Sequence, residues 1–413
     1  MNRDSFIQEA FAERIGGSQF GRQDIVFKFE KIKRAKREAV RNNPGVPLID
    51  LGVGEPDWQA EPEVIGELYR QAQKRENRGY TDNGLAVFQE AAADYMAEVY
   101  GVSGLDAHSE VLHGIGSKSI LALLPLAFIN PRDITLMTTP GYPILGTSTK
   151  ALGGEIVELP LTADNHFLPD LSAVTAEQRQ RAKLLYINYP NNPTGAAATP
   201  AFFAEVVKFA RENNIIVVSD AAYAALTFDV AKPLSFLATP GAKEVGVEIH
   251  SLSKAFNMTG WRLAFLCGNE QVVQAFAAVK DNNDSGQFAA IQHAGAHCLR
   301  HPEITRKTAA KYSRRHNKLV TALTTIGFSV TKPQASFYLY APIPRQTKNG
   351  RVFTSAADFS DFLIREKLLS TVPWDDAGAY VRVSVTFEAS TEEEEDAVIA
   401  EIVRRLESAE LVF

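Results

Sequence analysis

Apolar and polar residues follow two different periods along this chain. Between residues 110 and 268, short and largely apolar runs recur: EVLHGIG, DITLMTTP, EIVELPL, KLLYINYP, IIVVSD, VEIHSLS and RLAFLCG. They are rich in β-branched and aliphatic residues, and most stop at a glycine, a proline or a polar cluster. That combination predicts strands. Because the runs are continuous rather than alternating, the strands should be buried on both faces, in a mostly parallel sheet covered by helices. Segments with a helical period lie between and before them. SKSILALLPLAFI is a buried helix with Ser117 and Lys118 at its start, and Pro200 to Asn213 is another. Glu61 to Lys74, opened by Pro62, and Leu85 to Tyr100 precede the sheet. KFEKIKRAKREAV reads as an amphipathic helix with Phe29, Ile32, Ala35, Ala39 and Val40 on its apolar side and a solvated charged face.

After residue 286 the texture changes. Ala289 to Thr325 is largely helical, and GFSVTKPQASFYLYAPI reads as two strands around a proline turn. FTSAADFSDFLIREK is a helix, STVPW and YVRVSVTF are strands, and TEEEEDAVIAEIVRRLESA closes the chain as a helix. Its acids lie near the start and its arginines late, matching the helix dipole, so the acidic run is a helix start rather than a metal site. The organisation expected is an N-terminal arm that joins a smaller lobe (1–60), a large α/β domain (61–300) and a small C-terminal α+β domain (301–413).

Composition narrows the classes of function. The 413 residues carry a formal net charge of −6, and the only basic block is Lys28 to Arg37, which argues against nucleic-acid binding. Cys267 and Cys298 make no disulfide framework or metal pattern. No run reaches transmembrane length, and the first residues lack the apolar core of a signal peptide. The expectation is a cytoplasmic enzyme with no membrane partner.

The polar clusters fall where the predicted strands end: Gly116-Ser117-Lys118, Pro140-Gly141-Tyr142-Pro143, Asn191-Asn192-Pro193, Asp220 to Tyr223, and Ser251 to Lys254. Ligands of such sheets bind outside the carboxyl ends of the strands, so these clusters should form one site. Lys254 stands between two serines and Arg262. A buried lysine loses its proton readily and becomes a nucleophile able to form a Schiff base. The hydroxyls of Ser117, Ser251 and Ser253 with the Arg262 guanidinium suit a phosphate. Lysine plus phosphate cradle is what pyridoxal 5′-phosphate requires. Asp220 ends an apolar strand, where it is either a helix cap or the partner of a cation such as a protonated pyridine nitrogen. Tyr223 and Asn192 are within reach of the same ring's phenolic oxygen, and Tyr142 is placed to stack on it. Arg382, inside YVRVS, either faces outward or grips a carboxylate.

LGVGEP, PGYP, NYPNNPTG, SDAAY, SLSKAFNMTGWRLAF and YVRVS together resemble, in order and over nearly the whole chain, the class I/II aminotransferases of fold-type I. The resemblance implies Lys254 as Schiff-base lysine and proton shuttle, Asp220 on the pyridine nitrogen, and Asn192 and Tyr223 on the phenolic oxygen. It implies Arg382 on the substrate α-carboxylate and Gly54 lining the substrate pocket. It also implies a homodimer in which Tyr80 reaches the partner's cofactor phosphate.

The Ser117-Lys118 pair, FKFEKIKRAK and DNNDSGQFAAIQ further resemble the LL-diaminopimelate aminotransferases. Their substrate carries an ammonium and a carboxylate at its far end. Lys118, together with Ser285 and Glu76 from the partner subunit, are candidates to hold that end. Phe27 stands where a family tyrosine aligns. The other readings are an aminotransferase for aspartate, alanine or aromatic amino acids, a β-eliminating relative, and a non-catalytic protein on the same fold.

Overall fold

The computed structural model describes residues 6–21, 28–229 and 232–413, with the side chains of 28 and 29 excepted. Phe27 and the Phe29 side chain lie outside the described residues. A short strand β1 (Ile49–Asp50) comes first. Seven strands then build the central sheet: β2 (Val111–Gly114), β3 (Ile134–Thr139), β4 (Glu155–Pro160), β5 (Ala182–Asn188), β6 (Ile216–Asp220), β7 (Gly246–Ser251) and β8 (Ala264–Gly268). Their order is β2-β8-β7-β6-β5-β3-β4. β4, β3, β5, β6 and β7 are parallel, whereas β8 runs antiparallel to both β7 and β2. The predicted mostly parallel α/β sheet is therefore present, strand for strand.

The reason lies in the side-chain alternation. In β5, Leu184 and Tyr186 enter the core on one face of the sheet, and Leu185 and Ile187 enter the core on the other. With both faces apolar, helices must cover both. The helix Ser117–Leu123 supplies Ile120 and Leu121 to one face, and Pro200–Asn213 supplies Phe202, Phe203 and Val206 to the other. Pro200 follows a Thr199 cap that accepts from Phe202 N, which starts that helix where the sequence places it.

A smaller three-stranded sheet follows, ordered β12-β13-β9, from β9 (Tyr338–Pro342), β12 (Val372–Trp374) and β13 (Tyr380–Ser384). Between β9 and β12 lie β10 (Gln346–Thr347), which pairs with the terminal β14 (Leu411–Val412), and β11 (Leu369–Ser370), which pairs with β1. The N-terminal segment is thereby stitched to the C-terminal lobe. Arg315 reinforces that joint. Wholly buried on the helix Glu303–Ile326, it pairs with Asp57 at 3.0 Å and Glu395 at 2.8 Å, and it donates to the carbonyls of Val385, Phe387 and Ala389. The acidic run does open the helix Glu392–Glu407, capped by Thr391, and Glu395 from it also takes Arg314.

Three local expectations need correction. Phe328 to Lys332 forms no strand; it has no ladder partner, and Phe328 instead packs on Phe359 and Phe413. Of that proposed hairpin only Tyr338–Pro342 is a strand, and Ala335 makes an isolated antiparallel bridge to Thr227. Val40, assigned to the apolar side of the helix Lys28–Asn42, is exposed, because only Ala35 and Ala39, with Ile32, pack on Ile364. Lys254 is not at a strand end but one turn beyond it, on Leu252–Ala255.

Candidate active site

The carboxyl ends of the parallel strands open onto a cavity of about 880 Å³. Its lining includes Gly54, Ser117, Lys118, Tyr142, Asn192, Asp220, Tyr223, Ser251, Ser253, Lys254, Arg262 and Arg382. Twelve of the candidates read from the sequence are thus brought together around one space. Four are not: Tyr80, Glu76 and Ser285 are exposed outside the lining, and Phe27 is outside the described residues.

Asp220 is the last residue of β6, and β5 sets Asn188 opposite it. The carboxylate is 3% exposed and receives only neutral donors, Tyr186 Oη at 3.0 Å on Oδ2 and Ala222 N at 3.2 Å on Oδ1. Burial raises its pKa to about 6. A carboxylate so poor in compensation suits a cationic partner in the cavity. Asp220 is not a helix cap: no helix starts after it.

Lys254 Nζ donates to Gly54 O at 2.6 Å. Burial brings its pKa down to about 8, partly offset by Glu55. A share of the amine is therefore neutral near physiological pH, as a nucleophile or proton carrier requires. Ser251 caps the turn that carries the lysine, accepting from Ser253 N. Its hydroxyl proton remains available to the cavity.

Arg382 is 5% exposed, so it faces inward from β13. Nη1 donates to Asn192 Oδ1 at 2.8 Å and Nη2 to Gly52 O at 3.0 Å. Its buried Nε has no hydrogen-bond partner among the described residues. A guanidinium held at two corners with a donor left over is prepared for a carboxylate. Gly54 keeps this approach open, since a β-carbon would stand 2.8 Å from Tyr338 Oη and force that hydroxyl to shift.

The phosphate side is equally specific. Gly116 (φ +76°) precedes the helix Ser117–Leu123, and Arg262 lies against it, anchored through Nη1 to Thr259 O at 2.7 Å. Arg262 itself has φ +58°, an uncommon conformation for a side-chain-bearing residue. Gln287 supports it, donating through Nε2 to the carbonyls of Trp261 (2.6 Å) and Arg262 (2.9 Å) while its Oε1 accepts from Nε2 of the buried His113 at 2.9 Å. The same stretch braces the loop of Tyr80: Thr81 N and Asp82 N donate to Ser285 O, and Thr81 Oγ1 donates to Gln287 O.

Sequence reading missed Tyr186, Tyr338 and Gln287. Tyr186 and Tyr338 lie in apolar strands and look like core; their one signal is a hydroxyl near a strand end that faces the polar clusters.

The residues fit pyridoxal phosphate on three counts: the undercompensated Asp220, the deprotonation-prone Lys254, and the tight Gly116–Arg262 approach beside a helix start. Comparison with known proteins agrees. Residues 46–403 match the family model for aminotransferases of class I and II. The chain belongs to that family, and so is a pyridoxal-phosphate-dependent enzyme of fold-type I that moves amino groups between amino and oxo acids. At the level of particular proteins, it is 57% identical to the LL-diaminopimelate aminotransferase of Methanocaldococcus jannaschii, covering 99% of this chain and 100% of that one. It is 56% identical to the enzyme of the same name from Methanococcus maripaludis, again over 99% and 100%. Among solved structures, substrate-bound BacF of Bacillus subtilis is similar with a TM-score of 0.86 and 33% identity, over 97% of this chain and 98% of that one. No helix among the described residues is long and apolar enough to cross a membrane.

Proposed function

We propose that the protein is an LL-diaminopimelate aminotransferase, making LL-diaminopimelate from tetrahydrodipicolinate with glutamate as amino donor, in lysine biosynthesis in the cytoplasm. The observation that carries this reading is 57% identity to an enzyme of that name across essentially both whole chains. Pyridoxal phosphate, when bound, supplies an aldehyde that condenses with amines and a protonated ring that draws electrons from the substrate Cα. Ser117, Lys118, Ser251, Ser253 and Arg262 hold its phosphate. Asp220 keeps the ring nitrogen protonated, Tyr223 and Asn192 donate to its phenolic oxygen, and Tyr142 covers its face. Arg382 grips the substrate α-carboxylate beside Gly54. Lys254 Nζ would take the proton from the Cα of the amino acid and, when the oxo acid is the substrate, would deliver a proton to that same carbon. General acid–base transfer of this kind is worth about 10²–10⁴-fold.

The far end of the substrate falls to Lys118 and to residues that cannot serve their own cavity. Tyr80 is 87% exposed, and Glu76 and Ser285 are exposed beside it or hydrogen-bonded to its loop. Their position favours a homodimer in which Tyr80 of the partner subunit meets the phosphate, while the partner's Glu76 and the partner's Ser285 meet the distal ammonium and carboxylate. Phe27 would offer that end only an apolar contact. The joining of the N-terminal segment to the small C-terminal lobe is supported by β1 pairing with β11, and the bounds 1–60, 61–300 and 301–413 are part of the same proposal.

The test is a half-reaction screen of the cofactor-loaded protein by absorbance. LL-diaminopimelate and glutamate should each convert it to the pyridoxamine form, with little conversion by aspartate, alanine or phenylalanine. Conversion by aspartate or phenylalanine without LL-diaminopimelate would replace the substrate assignment and leave the family chemistry intact.

A further inference from the structure

Arg382 and Tyr223 serve different partners in the reading above, one the substrate carboxylate and the other the ring's phenolic oxygen. A single side chain touches both. Tyr338, on β9, is buried, with its hydroxyl 3.1 Å from Tyr223 Oη. The Arg382 guanidinium lies over its ring, 4.1 Å from the centroid. The β9–β13 ladder sets this contact, pairing Tyr338 with Ser384 and Tyr340 with Arg382, so Tyr338 and Arg382 are diagonal neighbours on one face. The Tyr338 hydroxyl also borders Gly54, whose carbonyl accepts a hydrogen bond from Lys254 Nζ.

We propose that Tyr338 is a positioning residue that couples carboxylate capture to the cofactor ring. Its face holds the Arg382 guanidinium in one plane. Its hydroxyl donates to Tyr223, so that the Tyr223 proton is directed into the cavity. The argument is one of proton direction. Two hydroxyls 3.1 Å apart share a single hydrogen bond, and one must donate. If Tyr223 gives its proton to the phenolic oxygen, only Tyr338 can supply the shared one. A hydroxyl that accepts a hydrogen bond is in turn a stronger donor. The inference rests on the assigned roles of Tyr223 and Arg382.

The test compares Tyr338→Phe, Tyr338→Leu and Tyr223→Phe as cofactor-loaded enzymes. The first readout is the pH midpoint of the bound cofactor's absorbance. A donor to the phenolic oxygen favours the less protonated chromophore, so weakening it moves the midpoint upward. Tyr338→Phe leaves the Tyr223 donor in place and removes only its cooperative strengthening, about 10–30% of one hydrogen bond, so it should raise the midpoint by roughly 0.1 to 0.3 pH unit, with the glutamate KM within about twofold because the ring remains. Tyr338→Leu should show the same shift and also raise KM roughly three- to thirty-fold by removing the aromatic face. A midpoint that moves in Tyr223→Phe but stays at the wild-type value in Tyr338→Phe would overturn the coupling. Equal KM values for the Phe and Leu variants would overturn the role of the ring. A midpoint unmoved in Tyr223→Phe would refute the assigned role of Tyr223 itself, and the proposal falls with it.

Discussion

The closest approach in the phosphate cradle gives the sharpest test of how the cofactor is held. A β-carbon on Gly116 would overlap Arg262 Nη2 and stand 2.8 Å from its Cζ, so Gly116→Ala must push the guanidinium aside. The substitution has two effects that can be separated. At φ +76° an alanine is strained by about 1–3 kcal/mol. That strain is present with and without cofactor, so it lowers stability and cancels from affinity. Loss of the guanidinium–phosphate contact does not cancel. A hydrogen bond to a charged group is worth about 1.5–3 kcal/mol, which is roughly ten- to a hundredfold in dissociation constant. The apoprotein would be titrated with pyridoxal phosphate and, in parallel, with pyridoxal, which lacks the phosphate. The expected result is a ten- to hundredfold loss for the first and less than about twofold for the second. Equal losses for both ligands would refute the assignment of Arg262 to the phosphate. Unchanged affinity for both would mean that the arginine relaxes elsewhere without consequence.

Lys254→Ala should slow the glutamate half-reaction by at least about 10²-fold, measured by single-turnover absorbance; a rate within tenfold of the wild type would remove Lys254 as the proton carrier. Asp220 binds its proton more tightly in the folded apoprotein (pKa about 6, against an ordinary 3.8), so the stability it contributes is full below pH 4 and lost as pH rises through 6. Asp220→Asn should therefore leave apoprotein stability nearly unchanged at pH 4 and raise it at pH 8 by up to about 3 kcal/mol; urea unfolding showing the same difference at both pH values would contradict the burial argument. Glu395→Ala leaves the wholly buried Arg315 with one carboxylate partner in place of two and should cost about 3–5 kcal/mol in urea unfolding. A loss below about 1 kcal/mol would show that Asp57 and the carbonyl acceptors suffice.

What could be read in advance and what could not divides along a physical line. The central sheet was legible because each strand must be apolar on both faces, and that requirement writes itself into consecutive residues such as Leu184 to Ile187. The site was legible because parallel strands end on the same side, so polar clusters scattered from Gly116 to Lys254 had to converge. The failed strand at Phe328 shows the limit of a local pattern: alternation alone does not supply a ladder partner, and Phe328 found aromatic neighbours on Phe359 and Phe413 instead. The missed residues share one property. Tyr186 serves Asp220 from 34 positions away, and Tyr338 serves Tyr223 from 115. Neither stands in a polar cluster, and each satisfies its strand's apolar pattern with its ring while its hydroxyl acts at the far end. An aromatic ring with a polar tip can meet both demands at once. Gln287 was missed differently, since it lies in a stretch that was noticed, DNNDSGQFAAIQ, but its role depends on carbonyls at Trp261 and Arg262 that no local period reveals. The residues that form the cavity wall follow from where strands stop; the residues that orient that wall follow only from which strands lie side by side.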